Sequence, residues 1–355
     1  MSSDSSPTPA AIEWRDDARR VQFEHWLGLV APAHGLHPAS LRAASADASF
    51  RRYFRVDASG PLHSFIIMDA PPLHEDCASF VAVSEQLHRG GVHVPQVLSW
   101  EQTHGFLLLS DLGDQTYLSA LRNPATGGQR AHELMLEALD TLVRLQQVPA
   151  ASLAPYDEAL QRREMDLFDS WYLERHLGLN LSAEQRSQLA EAKTLIVSAT
   201  LAQPAVFVHR DFHSRNLMVS DPNPGVLDFQ DAVRGPITYD LVSLLRDAYI
   251  PWDEELQIDY AARYWERARR AGLPVAADFS DFWRDFEWMG LQRQLKVLGI
   301  FARLAHRDGK AAYLDDMPVV WTYAHRACLR YRPFTALAAL LEQAAGVARQ
   351  AGYSF

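Results

Sequence analysis

The sequence predicts an α+β protein: a small N-terminal lobe built on a five-stranded antiparallel sheet, then a larger, mostly helical C-terminal lobe. Two patterns carry this reading. Between residues 40 and 113 aromatic, β-branched and other apolar runs are short and interrupted by small-residue turns, the pattern of strands. Beyond residue 113 apolar residues recur every three to four positions, the period of helices. At 355 residues and 48% hydrophobic content the chain can bury a sizeable core.

Taken in order, residues 1–12 are Ser/Pro-rich and expected to be flexible, and "ARRVQFEHWLGLV" (18–30) spaces its apolar residues as a short amphipathic helix. "SLRAASADASFRRYFRVDASGPLHSFIIMDAPP" reads as a three-stranded antiparallel meander, with turns at Ala44–Ala48 and Asp57–Pro61. "DCASFVAVSEQLHRGG" (76–91) is a helix stopped by glycine, and "VPQVLSW" and "GFLLLSDLG" supply two more strands. Helices are expected over 130–147, 162–178, 183–200, 255–271, 279–305 and 335–351. The exception in the second half is 205–232, where "AVFVH", "NLMVS" and "GVLDFQD" read as short strands with a turn at Pro222 and Pro224. The expected division is 13–110 for the first lobe and 111–355 for the second.

Composition narrows the function. Lys and Arg total 34 against 44 Asp and Glu, a formal charge of -10, which argues against nucleic acid or an anionic membrane as the main partner. The two cysteines, Cys77 and Cys328, form no metal-binding or disulfide pattern. There is no signal-peptide pattern and no apolar run of membrane-spanning length, so a cytoplasmic protein, monomeric by default, is expected. Lysine occurs only as Lys193, Lys296 and Lys310, so no residue before 193 can act as one.

The chemistry concentrates in "VHRDFHSRNLMV" (208–219) and the "GVLDFQD" that follows. Phosphoryl transfer from ATP uses a carboxylate to accept the acceptor hydroxyl's proton, while an Asn and a second Asp hold magnesium against the phosphates. The ordered set His209, Asp211, Asn216 and Asp228, the last flanked by Leu227 and Phe229, fits that division: Asp211 as catalytic base, Asn216 and Asp228 as oxygen ligands of Mg2+. Two other readings stand beside it. Asp211 and Asn216 are common turn residues, and His209, Asp211 and His213 could ligate the metal of a hydrolase. His209 itself reads as a structural histidine.

These segments, with "GVLDFQDAVRGPITYDL" including Asp240 and with "GFLLLSDLG", resemble the aminoglycoside phosphotransferase and choline kinase-like superfamily of small-molecule kinases, from about residue 40 to at least 305. "SADASFRRYFRV", "MDAPPLHEDC", "DLGDQTYL" and "LQRQLKVLGIFARLAHRDGK" resemble more closely the bacterial cell-wall-recycling kinases that phosphorylate the anomeric hydroxyl of N-acetylmuramate and N-acetylglucosamine. The resemblance implies the bilobal protein-kinase-like fold, ATP and Mg2+ as cofactors, a small amino-sugar substrate in peptidoglycan recycling, and a sugar 1-phosphate product. Another hydroxyl acceptor, an aminoglycoside or a choline-like alcohol, stays open.

The pattern departs from its family in the first lobe. Kinases of this architecture carry a strand-3 Lys paired with a helix Glu; here Met68 takes the Lys position, and Phe80 or Ala82 the Glu position. That gap keeps a nucleotide-binding pseudokinase as an alternative. The first turn lacks glycine, leaving Ser49, Arg51 and Arg52 as candidates for the phosphates, and strand alternation puts Arg51 and Arg55 on the face opposite Arg52. Glu75 or Asp76 could orient one of these arginines or cap the helix at 76. By resemblance, Ser110, Asp111 and Leu112 form the hinge that meets adenine. Arg234, Gln292, Arg293 and Lys296 are candidates for the sugar, with Tyr117 a residue that could stack on a ring or pack.

Overall fold

The computed structural model describes residues 12, 14, 16–46 and 50–350. The first half runs α1 (Asp17–His34), β1 (Arg42–Ala46), β2 (Arg52–Asp57), β3 (Ser64–Asp69), α2 (Cys77–Arg89), β4 (Val97–Glu101) and β5 (Phe106–Ser110). The second runs α3 (Tyr117–Arg122), α4 (Gly127–Gln146), α5 (Glu158–Leu167), α6 (Ala183–Ala202), β6 (Ala205–Val208), β7 (Leu217–Met218), β8 (Gly225–Val226), β9 (Val233–Pro236), α7 (Tyr239–Leu245), α8 (Glu254–Arg270), α9 (Phe279–Asp308), α10 (Met317–Arg330) and α11 (Thr335–Gln350). This is the expected α+β, protein-kinase-like architecture. Apart from Ile12, the Ser/Pro-rich first twelve residues lie outside the described residues. Two compact units form, Met1–Asp114 with Ser220–Gln230, and Gln115–Val219 with Asp231–Phe355. Residues 220–230, expected with the helical part, thus belong to the sheet unit.

The five strands pair antiparallel in the order β1-β2-β3-β5-β4. Alternation sends Phe54, Val56, Phe65, Ile67, Phe106 and Leu108 to one face, where they pack against Phe23, Trp26 and Leu27 of α1. Tyr53, Met68 and Leu107, cross-strand partners in that register, share the opposite face with Arg55, Ile66 and Leu109. The α1 face also holds one fully buried carboxylate, Asp69. Arg19 of α1 and Arg52 of β2 each reach it at 2.5 Å, which locks the helix to the sheet by charge as well as by apolar area.

Segment 220–230 is bound to this unit by local packing. Phe229 lies 4.8 Å from Phe80 of α2, the Ser79 hydroxyl donates to the Gln230 carbonyl at 2.9 Å, and the Val226 amide donates to the His93 carbonyl at 2.8 Å. Gly225 is needed for closeness, because a Cβ there would stand 2.8 Å from Leu112 Cδ1.

In the helical unit α9 is the axis, touching α5, α6, α7, α8 and α10. Its Leu295 and Leu298 share a core with Phe168, Ile196 and Ala324. The single helix expected over 162–178 is corrected: α5 ends at Leu167 and Phe168–His176 continues as a π-helix. Helix α7 had no periodic signal because every residue from Tyr239 to Leu245 is buried, leaving no polar face. Both cysteines are free and buried. Among the described residues no helix is long and apolar enough to cross a membrane.

Helices α5 and α9 meet at Gly299, where a Cβ would fall 2.3 Å from the Leu167 carbonyl carbon. Gly299→Ala should therefore destabilise the protein by about 1–3 kcal/mol in urea unfolding, the cost of forced repacking. Gly28→Ala in α1, where an added Cβ meets nothing within 4 Å, serves as the control and should be neutral or stabilising.

Candidate active site

The loop after β6 is shaped by one carboxylate beneath it. Asp240, fully buried at the start of α7, accepts the backbone N–H groups of His209 at 2.7 Å and Arg210 at 3.0 Å. So held, Arg210 adopts a left-handed backbone with φ 78°, a conformation that bulky side chains avoid unless their surroundings impose it. Asp228, in the other unit, is also left-handed, at φ 64°. His209 is fully buried, and its Nδ1 accepts the Asp211 amide at 3.3 Å, the structural role expected of it. Among the described residues no group of three or more His, Cys, Asp or Glu is arranged to hold a metal, so His209, Asp211 and His213 are not a ligand set.

Arg210 ends on a second carboxylate. Its Nη2 meets Glu164 of α5 at 2.5 Å, and Lys296 of α9 reaches the same oxygen at 3.3 Å. Tyr156 donates its hydroxyl to the other oxygen of Glu164, and Gln292 donates to the Tyr156 hydroxyl at 2.7 Å. Lys296 also donates to the Tyr239 hydroxyl at 2.9 Å. A buried carboxylate with this many donors is a satisfied network rather than a lone ion pair.

Above the network lies a cavity of about 500 Å³ within the helical unit, with α5 on one side and α9 on the other. Asp211 opens into it, 40% of its side-chain surface exposed, and Arg293 Nη2 stands 3.9 Å from its Oδ1. Tyr249, Tyr313, Phe301 and Val297 give the cavity apolar walls. An ionised carboxylate, fixed cations and flat apolar side chains together suit a polyhydroxylated ring that presents one hydroxyl for reaction.

Electrostatics divide the two aspartates. Burial works to raise the Asp211 pKa, but Lys296, His213, Arg293 and His209 outweigh it and hold the carboxyl at about 2. For Asp240 burial dominates, and despite the two amide hydrogen bonds, with Asp211 adding to burial and Arg293 opposing it, the carboxyl is pushed up to about 7. At Glu164 burial again works upward, yet Lys296, Arg210 and Tyr156 bring the group below the usual carboxylate range.

The structure brings Asp211, Arg293 and Lys296 to one cavity, with Gln292 directly beneath it in the Glu164 network. Arg234 stands apart: exposed on β9, it lines a different depression beside Gln147 and Leu273. Tyr117 is fully buried. In the sheet unit Arg51 pairs with Glu75 at 2.8 Å, while Arg52 is held by Asp69 on the α1 face. Asp76 caps α2 by accepting the Ala78 amide, so the two neighbouring acids divide the roles of partner and cap. Met68 is fully buried, and Ser49 lies outside the described residues. At the end of β5 the Ser110 amide donates to the Gln96 carbonyl at 3.0 Å, the Asp111 carboxylate accepts from Arg55 at 2.6 Å and from Ser64 at 2.7 Å, and Leu112 is buried against Gly225. Sequence reasoning missed Glu164, which sits in "LQRREMDL", a charged run that reads as a solvated helix face.

The two aspartates should titrate at opposite ends of a carboxyl-carbon NMR experiment, Asp211 at about 2 and Asp240 at about 7. Asp240 is raised above its unfolded value of about 3.9, so the folded state binds the extra proton between those limits and stability should fall as pH rises through that window. Asp240→Asn should remove this slope. A pH-independent stability in the wild type between about pH 4 and pH 7 would contradict the assignment.

Over residues 40–273 the sequence matches the family described as "Phosphotransferase enzyme family". It is 49% identical over 334 residues to the N-acetylmuramate/N-acetylglucosamine kinase of Pseudomonas aeruginosa, covering 92% of this chain and 97% of that protein. Identity to the protein of the same name from Neisseria meningitidis is 46%, covering 92% and 96% of the two chains. Among solved structures, a choline/ethanolamine kinase family protein from Mesorhizobium loti aligns with a TM-score of 0.59 at 13% identity, covering 92% of this chain and 99% of that one. Amicoumacin kinase in complex with AMP-PNP, Ca2+ and Ami gives 0.57 at 13% identity, covering 86% and 94%. At such identities the structural likeness is one of fold. With a family match across more than half of its length, and relatives nearly half identical over 92% of it, this chain belongs to the phosphotransferase enzyme family.

Proposed function

We propose that the chain is an ATP- and Mg2+-dependent kinase that phosphorylates the anomeric hydroxyl of N-acetylmuramate and N-acetylglucosamine in peptidoglycan recycling, working as a cytoplasmic monomer. The observation that carries the reading is Asp211: an ionised carboxylate opening into a monosaccharide-sized cavity and flanked by Lys296 and Arg293. The names of the relatives supply the sugars. Fixed cations along the wall disfavour a cationic acceptor such as an aminoglycoside or choline.

In this reading Asp211 accepts a hydrogen bond from the reacting hydroxyl, orients it, and takes its proton as the new O–P bond forms. Its low pKa keeps it ionised and ready, so its contribution is mostly alignment. Arg293 and Lys296 hold the carboxylate in place, and Gln292 acts beneath them through Tyr156. Asn216 and Asp228 offer the oxygen donors that magnesium prefers, and the Asn216 amide nitrogen donates to the Asp211 carbonyl at 3.0 Å, which fixes which way its oxygen faces. Magnesium, when bound, would neutralise charge on the nucleotide phosphates.

For the nucleotide, the proposal narrows to Arg51 for the phosphates and to the backbone of Asp111 and Leu112 for adenine. Arg52 is spent on Asp69, and Met68 is enclosed by the sheet. The Arg51–Glu75 pair supplies a cation steadied by a carboxylate, the function that the absent strand-3 Lys and helix Glu serve elsewhere.

Asp211→Asn should lower kcat by about 10² or more while leaving nucleotide affinity nearly unchanged. ADP release across a panel of acceptors should be highest with the two amino sugars, and the product should show phosphorus coupling to the anomeric proton. Coupling to the C6 protons, or an Asp211→Asn variant within a few-fold of wild type, would overturn the proposal.

A further inference from the structure

The cavity holds more cations than its own network uses. Arg210 and Lys296 are committed to Glu164, and Arg293 faces Asp211. Of the other acids there, Asp231 lies beside Arg210, whose Nη1 donates to its carbonyl at 3.5 Å, and Asp247 is taken by the Ser214 amide at 3.1 Å and the Tyr249 amide at 2.9 Å. Two lining guanidiniums remain, Arg163 on α5 and Arg303 on α9, and neither makes an ion pair or hydrogen bond among the described residues. Arg303 is half-buried, and its Nε is shut off from water with no acceptor. The acid nearest to it along the helix, Asp308, is bound by Arg307 at 2.7 Å. Burial, with Arg307 adding to it, pulls the Arg303 pKa below the usual range, the mark of a positive charge without a partner. An uncompensated guanidinium costs stability unless an anion completes it.

Position makes the pair useful. Arg293, Lys296, Ile300 and Arg303 follow one stripe of α9, with Arg303 about 15 Å beyond Arg293 along the axis. Asp211 and Arg293 mark one end of this stripe and Arg303 the other, with Tyr249, Phe301 and Tyr313 among the walls. A sugar whose reacting hydroxyl meets Asp211 would direct its far substituents toward Arg303.

N-acetylmuramate differs from N-acetylglucosamine by a 3-O-lactyl ether that ends in a carboxylate. Resting on the function proposed above, we propose that Arg303, seconded by Arg163, binds that carboxylate and so sets the preference for N-acetylmuramate over N-acetylglucosamine. A guanidinium fork matches a carboxylate bidentately, and Arg163 on the facing helix supplies a second, more exposed charge.

The test compares kcat/KM for N-acetylmuramate, its methyl ester and N-acetylglucosamine. Wild type should favour the acid over the ester, and Arg303→Gln should lower the N-acetylmuramate to N-acetylglucosamine ratio by about 10-fold or more, mainly through KM, as expected for loss of a charge-assisted hydrogen bond. Arg303→Lys should restore part of the ratio, and Arg163→Gln should lower it less. Because the ratio is taken within one preparation, partial misfolding cancels from it. Acid and ester handled alike by the wild type, or a ratio unmoved in Arg303→Gln, would overturn the inference while leaving the kinase reading intact. Failure of the wild type to phosphorylate either sugar would overturn both.

Discussion

The candidate site hangs on one buried carboxylate. Glu164 draws Arg210 from the loop, Lys296 from α9 and the Tyr156 hydroxyl to a single point, and without it the Arg210 and Lys296 charges would lose their ion-pair partner. Its own burial is tolerable only because the donors surround it. That in turn requires α5 and α9 to approach closely, which Gly299 allows by having no side chain against Leu167. Packing at one point of the helix pair thus sets the electrostatics about one turn away, at Glu164 and Lys296.

Asp240 works on the same loop through the backbone. It fixes the His209 and Arg210 amides, forces Arg210 into its left-handed turn and leaves Asp211 projecting into the cavity. One carboxylate holds the main chain and the other holds the side chain, so the loop is determined from two directions. The Asp211 carboxyl between them is held low by Lys296 and Arg293, residues that belong to the scaffold as much as to the candidate site.

Much of this was legible in sequence. Aromatic and β-branched runs between turns predicted the five strands, which the sheet contains, and the order of His209, Asp211, Asn216 and Asp228 singled out the candidate site because reaction chemistry constrains residue type and order. The neighbouring arginines expected on different faces take different partners, Arg51 pairing with Glu75 and Arg52 with Asp69. What escaped was whatever depends on long-range burial. Glu164 looks like a solvated helix charge, and only the packing of α5 on α9 reveals that it faces inward, whereas Arg293 and Lys296 were already candidates for the sugar and do line the cavity. Helix α7 was invisible for the opposite reason, being buried on every side. Arg234 was proposed from nearness in sequence, yet the strand carrying it turns its side chain to a separate surface.

A crystal structure with N-acetylmuramate and a non-hydrolysable ATP analogue tests the central claim most directly. The account predicts the sugar in the cavity lined by α5 and α9, with its anomeric oxygen about 2.6–3.2 Å from the Asp211 carboxylate. Sugar bound elsewhere, against Arg234 for example, or with another hydroxyl facing Asp211, would contradict it.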